Sequence, residues 1–487
     1  MSSDKYRFEE DDTGYAVGLG YISSVLKNVG HEVKMLSFTK LSVTMARKNF
    51  FSKYEEFKPD IVGFSVFSPN RISSFKTIEE LYCEANPPHI IIGGIHTTVM
   101  YEKIIEKFPK IIAVLGEGER TIVELVKAIE NNLELSIIKG LAYYKDGKVF
   151  LTERRELIED LDTLPFPDHD VFFKLSPSRT TGSIITSRGC PSKCSFCSLD
   201  ILSRNIVRKR SVENVMEEIK FLKQKYPKLK NIIFLDDALL LDNKRVIKLC
   251  KLLIEGDLGL TFACEARVKP VSRELFYWMK KAGFTYIIFG LETAADELMK
   301  SIGKGITKID VLNLMDMIKP FNFRILFFVM CGFPGENRKT IQETADFVNS
   351  IQKKQYVQIW GVSKLYAFPG TRIYENMKNA SCIDDEYWMT ESEIPYYTVE
   401  HSFKELLLYE RFLSDRILLK DCFTVSGFCR HFLKMPIEIM KFLLRNKEEV
   451  ITPIDVSLKR YVAHYYWLVY KRLSRRINTL EKYEQYT

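Results

Sequence analysis

The sequence has no run of 18 uncharged apolar residues, the length a membrane-spanning helix needs. Its best candidates, residues 432–444 and 461–470, are short and flanked by Lys and Arg, so no transmembrane segment is expected. The opening MSSDKYRFEEDD is acidic with no apolar core, which speaks against a secretory signal. Glycine (24) and proline (17) are scattered without period, excluding collagen-like and low-complexity chains. No sign of charge dominates. The net is +8, and residues 401–487 account for +6 of it, with 16 Lys and Arg against 10 Asp and Glu. Interspersed signs read as a solvated helical face rather than a nucleic-acid or membrane patch, and no RNA-binding module is apparent. What the chain does have is apolar material: 46% hydrophobic and 28% charged residues are ordinary globular proportions. At roughly 100–200 residues per domain, 487 residues make two to four domains.

Residues 1–135 alternate helical and strand patterns. Residues 15–29 have helical spacing and stop at Gly30; 31–36 read as a short strand; 61–66 form a buried strand. Residues 90–92 run into Gly93-Gly94, and 111–115 run into Gly116-Glu-Gly-Glu119 and a helix. This pattern implies an α/β, doubly wound (Rossmann-like) parallel sheet, which binds ligands at the C-terminal ends of its strands. Residues 136–181 read as a connector with a small hairpin around Asp146-Gly147 and an extended stretch at Leu164-Pro-Phe-Pro-Asp168. Residues 182–371 hold six candidate strands at 183–186, 231–235, 260–264, 286–289, 324–330 and 357–365. Six units fit an open, partial (β/α)6 barrel better than a complete eight-unit one. Residues 372–487 read as a helical C-terminal region.

Seven of the ten cysteines are dispersed, the pattern of buried thiols in a reducing, cytoplasmic compartment rather than of a disulfide framework. The other three follow a strand as Cys190-Pro-Ser-Lys-Cys194-Ser-Phe-Cys197. Closely spaced thiolates can converge on one metal centre, and thiolates are the usual ligands of iron–sulfur clusters. A structural zinc site wants a fourth Cys or His at regular spacing; the next cysteine is Cys250, and no histidine lies between His169 and His401. Three ligands leave one iron open to an exogenous ligand, as a cluster doing chemistry requires. Spacing by itself also admits zinc or incidental thiols; the preceding strand, Phe196 and the βα series that follows favour iron–sulfur.

C-x3-C-x-aromatic-C at the top of the first strand of a partial barrel resembles the radical S-adenosylmethionine (SAM) superfamily. The resemblance implies that Cys190, Cys194 and Cys197 bind a 4Fe–4S cluster whose fourth iron is chelated by SAM. One electron then splits SAM to give a 5′-deoxyadenosyl radical that abstracts a substrate hydrogen. It also implies SAM contacts from Phe196, from Asp236 and Asp237 (amino group), and from Arg267 (carboxylate, by bidentate pairing). Gly290 and Glu292 would meet the ribose, and Gly332, Pro334 and Gly335 of the Gly332-Phe-Pro-Gly-Glu336 turn the adenine. Each has a plain structural reading beside it: a helix cap for the aspartates, a surface ion pair for Arg267, tight turns for the glycines.

A doubly wound domain ahead of this barrel resembles the cobalamin-binding branch of that superfamily, over roughly residues 14–370. The likeness implies cobalamin at the strand ends of residues 1–135, contacted by Ser65, Gly93, Gly94, His96, Gly116, Glu117 and Gly118. Two departures stand out. No strand precedes the helix at Tyr15, so either the sheet lacks its first strand or the chain is incomplete. No Asp-x-His-x-x-Gly occurs, which does not exclude cobalamin but means that His96 and His31 need not be cobalt ligands, and His31 reads as structural. The resulting expectation is an oxygen-sensitive, cytoplasmic, cobalamin-dependent radical SAM methyltransferase. It acts on an unactivated carbon of a small-molecule or natural-product substrate and is reduced by a flavodoxin or ferredoxin. The alternatives are a radical SAM oxidoreductase or cyclase without methyl transfer, and a non-catalytic iron–sulfur electron carrier or sensor.

Overall fold

The computed structural model describes residues 16–38, 43–352 and 357–417. The expected helical region therefore lies outside the described residues from 418 onward.

Helix α1 (Val17–Asn28) ends just before Gly30, whose φ is 98°. Residues 31–36 are not a strand. Met35 packs against the barrel's core, so the segment buries apolar surface without pairing in a sheet. Helix α2 (Val43–Phe57) leads to β1 (Ile61–Ser65), which is parallel to β2 (His89–Gly93), itself parallel to β3 (Ile111–Val114). Helices α3 (Arg71–Leu81), α4 (Ile95–Lys107) and α5 (Glu119–Glu130) follow these three strands. In α5, Ile122, Leu125 and Val126 recur at helical spacing and are buried with Ile91, Val114 and Leu141. The hairpin expected in the connector, β4 (Leu141–Lys145) and β5 (Lys148–Leu151), extends this same sheet. β4 runs antiparallel to β3, so the sheet is mixed, in the order β1-β2-β3-β4-β5. The added strands cover an edge of β3 that would otherwise be open.

Helix α6 (Asp170–Leu175) precedes β6 (Thr181–Ile184). A two-stranded ribbon, β7 (Ser187–Arg188) with β8 (Arg208–Lys209), brackets helix α7 (Leu199–Ser203). After α8 (Val212–Lys225) come β9 (Asn231–Phe234), α9 (Asn243–Gly256), β10 (Thr261–Ala266) and α10 (Arg273–Lys281). They are followed by β11 (Phe284–Glu292), α11 (Asp296–Ser301), α12 (Lys308–Ile318), β12 (Arg324–Cys331), α13 (Arg338–Gln352) and β13 (Val357–Lys364). The six long strands are all parallel, in the order β13-β12-β11-β10-β9-β6, an open barrel with the strand count read from the sequence. Ser211, Asp242, Ser272 and Thr307 start α8, α9, α10 and α12, each accepting the amide three residues on. Side chains alternate along the strands. Ile325, Phe327 and Val329 of β12 join the helix-facing core, whereas Leu326 meets Ala263 and Tyr286 in the lumen.

The two sheets share a core. Val62, Ile90 and Ile104 cluster with Leu298, Phe333 and Leu365 of the barrel and with Trp388 beyond it. Helices α14 (Arg372–Asn379) and α15 (Phe403–Ile417) flank that last segment. The buried Arg71 guanidinium lies 4.9 Å over the Trp388 ring and donates to the carbonyls of Ser68, Trp388 and Ser392. Among the described residues no helix is long and apolar enough to cross a membrane.

Candidate functional site

The cysteine loop runs from β7 to α7 and is held on three sides. Gly189 has a φ of 98°, and a Cβ there would run into the Ile206 carbonyl, so only glycine fits. Its amide donates to Asp237 Oδ2 at 2.8 Å. Further on, the Ser195 amide donates to the Ile302 carbonyl at 2.9 Å, and the Ile373 amide to the Ser195 carbonyl at 3.2 Å. Phe196 packs edge-on against Phe333, with centroids 5.9 Å apart. Burial pushes the Cys194 thiol up and the Cys197 thiol up to about 11, although Cys197 keeps an exposed face. A bound metal ionises such thiols outright.

Among the described residues no three Cys, His, Asp or Glu side chains converge on one ion position. The three thiols nevertheless lie within electrostatic reach of one another. A mononuclear zinc ion needs its sulfurs about 2.3 Å away, whereas a polynuclear cluster spreads its thiolates. The donor set fits the cluster.

The barrel lumen brings charged groups to this loop. Asp236 is fully enclosed and accepts from the Thr186 amide and hydroxyl at 3.0 and 2.7 Å and from the Ser187 hydroxyl. Both its oxygens are thus used in fixing the chain just before the cysteines, and burial raises its pKa. Asp237 is turned to Gly189, and burial raises its pKa too. Arg267, expected to take a ligand carboxylate, has its fork committed. One nitrogen is 3.8 Å from Cys190 Sγ, and the other donates to the Lys304 carbonyl at 2.7 Å.

Two residues outside the sequence-based set complete the lumen. Lys304, almost buried, places its ammonium 2.6 Å from Glu292 Oε1. A Cβ on Gly290 would strike both groups, so this glycine makes room for the pair. Glu292 itself has a φ of 67°, uncommon for a residue with a side chain. Glu265 shares the lumen face with Ala263 by alternation and has no hydrogen bond or ion pair among the described residues. Its side chain keeps an exposed face, yet desolvation within the lumen, helped by the charges of Asp237 and Glu292, raises its pKa. In the turn after β12, Glu336 accepts from the Gly332 and Phe333 amides, Pro334 is half-buried, and the exposed Gly335 donates its amide to Glu400 at 2.5 Å.

At the N-terminal sheet, Ser65, Gly93 and Gly116 lie at or just past the C-terminal ends of β1, β2 and β3. Gly94 has a φ of 98° with its would-be Cβ 2.7 Å from the Val66 carbonyl, and Gly118 abuts Ile22. A Cβ on Gly116 would meet nothing within 4 Å, so space stands open at that position past the end of β3, the side of such a sheet on which ligands bind. Two expected contacts are engaged by other partners. His96 is buried with its ring 5.3 Å from Trp388 and its Nδ1 3.0 Å from Ser68 Oγ, and burial pulls its pKa down to about 3. Glu117 has both oxygens bound to Arg188, Arg208 and the Ile158 amide at 2.7–2.9 Å.

Comparison with known proteins follows this division. Residues 184–348 match the family model of the radical SAM superfamily, and residues 11–126 that of the B12 binding domain. An uncharacterized methyltransferase of Pyrococcus horikoshii is 30% identical over 430 residues, spanning 85% of this chain and 92% of the relative. An anaerobic magnesium-protoporphyrin IX monomethyl ester cyclase of Rubrivivax gelatinosus is 27% identical over 67% of this chain and 60% of its own length. In fold, the chain is similar to the cobalamin-dependent S-adenosylmethionine radical enzyme OxsB. The TM-score is 0.70 at 17% identity, covering 95% of this chain and 71% of that one.

Proposed function

Because the chain belongs to the radical SAM superfamily, in the branch that carries a B12-binding domain, we propose that it methylates an unactivated carbon of a small-molecule substrate. It is an enzyme whose cofactors are a 4Fe–4S cluster, SAM and cobalamin. When bound, the cluster supplies the electron that splits SAM, and cobalamin carries the methyl group.

One juxtaposition carries the reading. The cysteine loop is bonded to Asp237 and Arg267 of the barrel on one side and, through Arg188, to Glu117 and Glu119 of the N-terminal sheet on the other. Two sets of strand ends thus meet at one loop, as a reaction needing a radical and a methyl donor at the same carbon requires. In this reading Cys190, Cys194 and Cys197 hold the cluster. Glu292 accepts the ribose hydroxyls, Lys304 pairs with the SAM carboxylate, and the free Glu265 takes its amino group. Arg267 offsets charge on the Cys190 sulfur, and Asp236 and Asp237 fix the loop. Phe196, Gly332, Pro334 and Gly335 form the adenine wall. Ser65, Gly93, Gly94, Gly116 and Gly118 line the cobalamin cradle. The reductant would be a flavodoxin or ferredoxin of the cytoplasm, reaching the cluster past the exposed Cys197.

The test needs no substrate. Oxygen-free, reconstituted protein should form S-adenosylhomocysteine from SAM only when cobalamin and a reductant are both present. Formation of 5′-deoxyadenosine with no S-adenosylhomocysteine would overturn methyl transfer in favour of the cyclase or oxidoreductase reading. Failure to form either, with candidate substrates added as well, would favour the non-catalytic carrier.

A further inference from the structure

Arg188 and Arg208 stand directly opposite each other across the β7–β8 ribbon. Like charges so placed in an antiparallel pair repel, and both side chains are largely shielded from water. The carboxylates that compensate them come from the other sheet. Glu117 bridges the two, Oε1 to Arg188 at 2.9 Å and Oε2 to Arg208 at 2.7 Å, while Glu119 takes the second Arg188 nitrogen at 2.6 Å. The Tyr21 ring lies 4.9 Å from the Arg188 guanidinium. Little slack separates this cluster from the thiols. Arg188 is followed by Gly189, whose amide is bonded to Asp237 and which packs against the Ile206 carbonyl, and then by Cys190.

We propose that Arg188, Arg208, Glu117 and Glu119 act as positioning residues that hold the cysteine loop and the Gly116–Glu119 loop in one register, so that both cofactors address the same substrate carbon. The proposal rests on the reading that these loops carry the cluster and cobalamin. It assigns Glu117 to the clamp instead of to the corrin. Arginine suits the task because its planar fork can engage two carboxylates at once, which a lysine ammonium cannot do with fixed geometry.

The experiment uses the full-length protein reconstituted with its cluster. Hydroxocobalamin is titrated by visible absorption, and amide exchange is followed by mass spectrometry. Arg188→Gln alters a barrel residue, yet it should weaken hydroxocobalamin binding about tenfold, a usual size for coupling between sites. It should also speed exchange in residues 112–119 as well as 186–198, and Arg188→Lys should recover part of both. Adding Glu119→Gln to Arg188→Gln should cost little more, since Arg188 is the cation that Glu119 holds and the two substitutions remove one interaction. Unchanged hydroxocobalamin affinity, with faster exchange confined to 186–198, would reduce Arg188 to a local structural role and overturn the proposal. Should Arg188→Gln fail to fold, Glu119→Gln keeps Glu117 on both arginines and must show the same two effects more weakly; no effect there also overturns it. A wild-type protein that binds no hydroxocobalamin defeats the functional reading instead, and the exchange measurement still decides the clamp.

Discussion

The Lys304 ammonium lies 2.6 Å from Glu292, in the volume that a side chain at position 290 would fill. A buried cation held beside a carboxylate at the mouth of the barrel retains donors for an anionic partner. Lys304→Met should therefore weaken SAM binding by roughly ten- to a hundredfold, the size of a charge-assisted hydrogen bond. Decarboxylated SAM, which lacks the anion, should lose far less. Calorimetry with both ligands on cluster-loaded protein decides the matter; equal losses would shift the lysine's task to holding Glu292.

Gly189→Ala should destabilise the protein by about 1–3 kcal/mol, because alanine resists left-handed backbone and its Cβ meets a carbonyl. Iron retained after reconstitution should fall with it. Gly116 is left-handed too, at a φ of 77°, so Gly116→Ala also costs stability, yet it should leave iron intact and impair hydroxocobalamin binding. Iron and cobalt analysis of the two variants separates the sites.

Thiol reactivity gives a third expectation. Cys83 and Cys382 are exposed, whereas Cys250, Cys264 and Cys331 are buried; burial pushes Cys250 up to about 12 and the other two well above the usual thiol range. Iodoacetamide at neutral pH should label the first pair and spare the three buried thiols. Cys190, Cys194 and Cys197 keep accessible faces and should react in the metal-free protein, Cys194 and Cys197 slowly because their thiols are pushed up, and all three should be protected after cluster assembly. Mass mapping of the labelled peptides reads all eight; protection of only two of the trio would break the ligand assignment.

Stability should peak at mildly acidic pH. Burial keeps His96 neutral, lowering its pKa from 6.5 to about 3, and raises Glu336 from 4.5 to about 8. Between pH 6.5 and 3 the unfolded chain binds a proton at His96 that the folded chain refuses, so stability drops as pH falls. Between pH 4.5 and 8 the folded chain keeps a proton on Glu336 that the unfolded chain has lost, so stability drops as pH rises. Glu336→Gln should flatten the second slope alone, as urea midpoints across that range would report.

The barrel's six strands are legible because their apolar runs are long and bounded by capped helices, and the cysteine loop is legible because its ligands are local in sequence. Lys304 is not. It reaches Glu292 from a separate loop, and its one sequence signal is the flanking pair Gly303 and Gly305, both at a φ of 71°. Glu265 can be found by counting alternation from Ala263, but the neighbouring Arg267 reads as the stronger ligand. Glu117 reads as a cofactor contact because a carboxylate between glycines at a strand end looks like a ligand loop. Its partners lie 71 and 91 residues away, beyond any local pattern. The alternation of residues 31–36 fits a strand equally well, yet a strand exists only where a neighbour supplies the ladder.

The embrace of Trp388 by Arg71 limits how this architecture can be recombined. Arg71, Lys76 and Lys107 of the first unit all bond to residues 388–392, which follow the barrel in the chain. Grafted alone onto a homologue whose segment after the barrel is arranged differently, the leading third would leave the buried Arg71 guanidinium with the Ser68 carbonyl as its acceptor. Successful exchange must transplant that distant tryptophan segment together with the front unit, so the two stretches are expected to travel as a single evolutionary cassette.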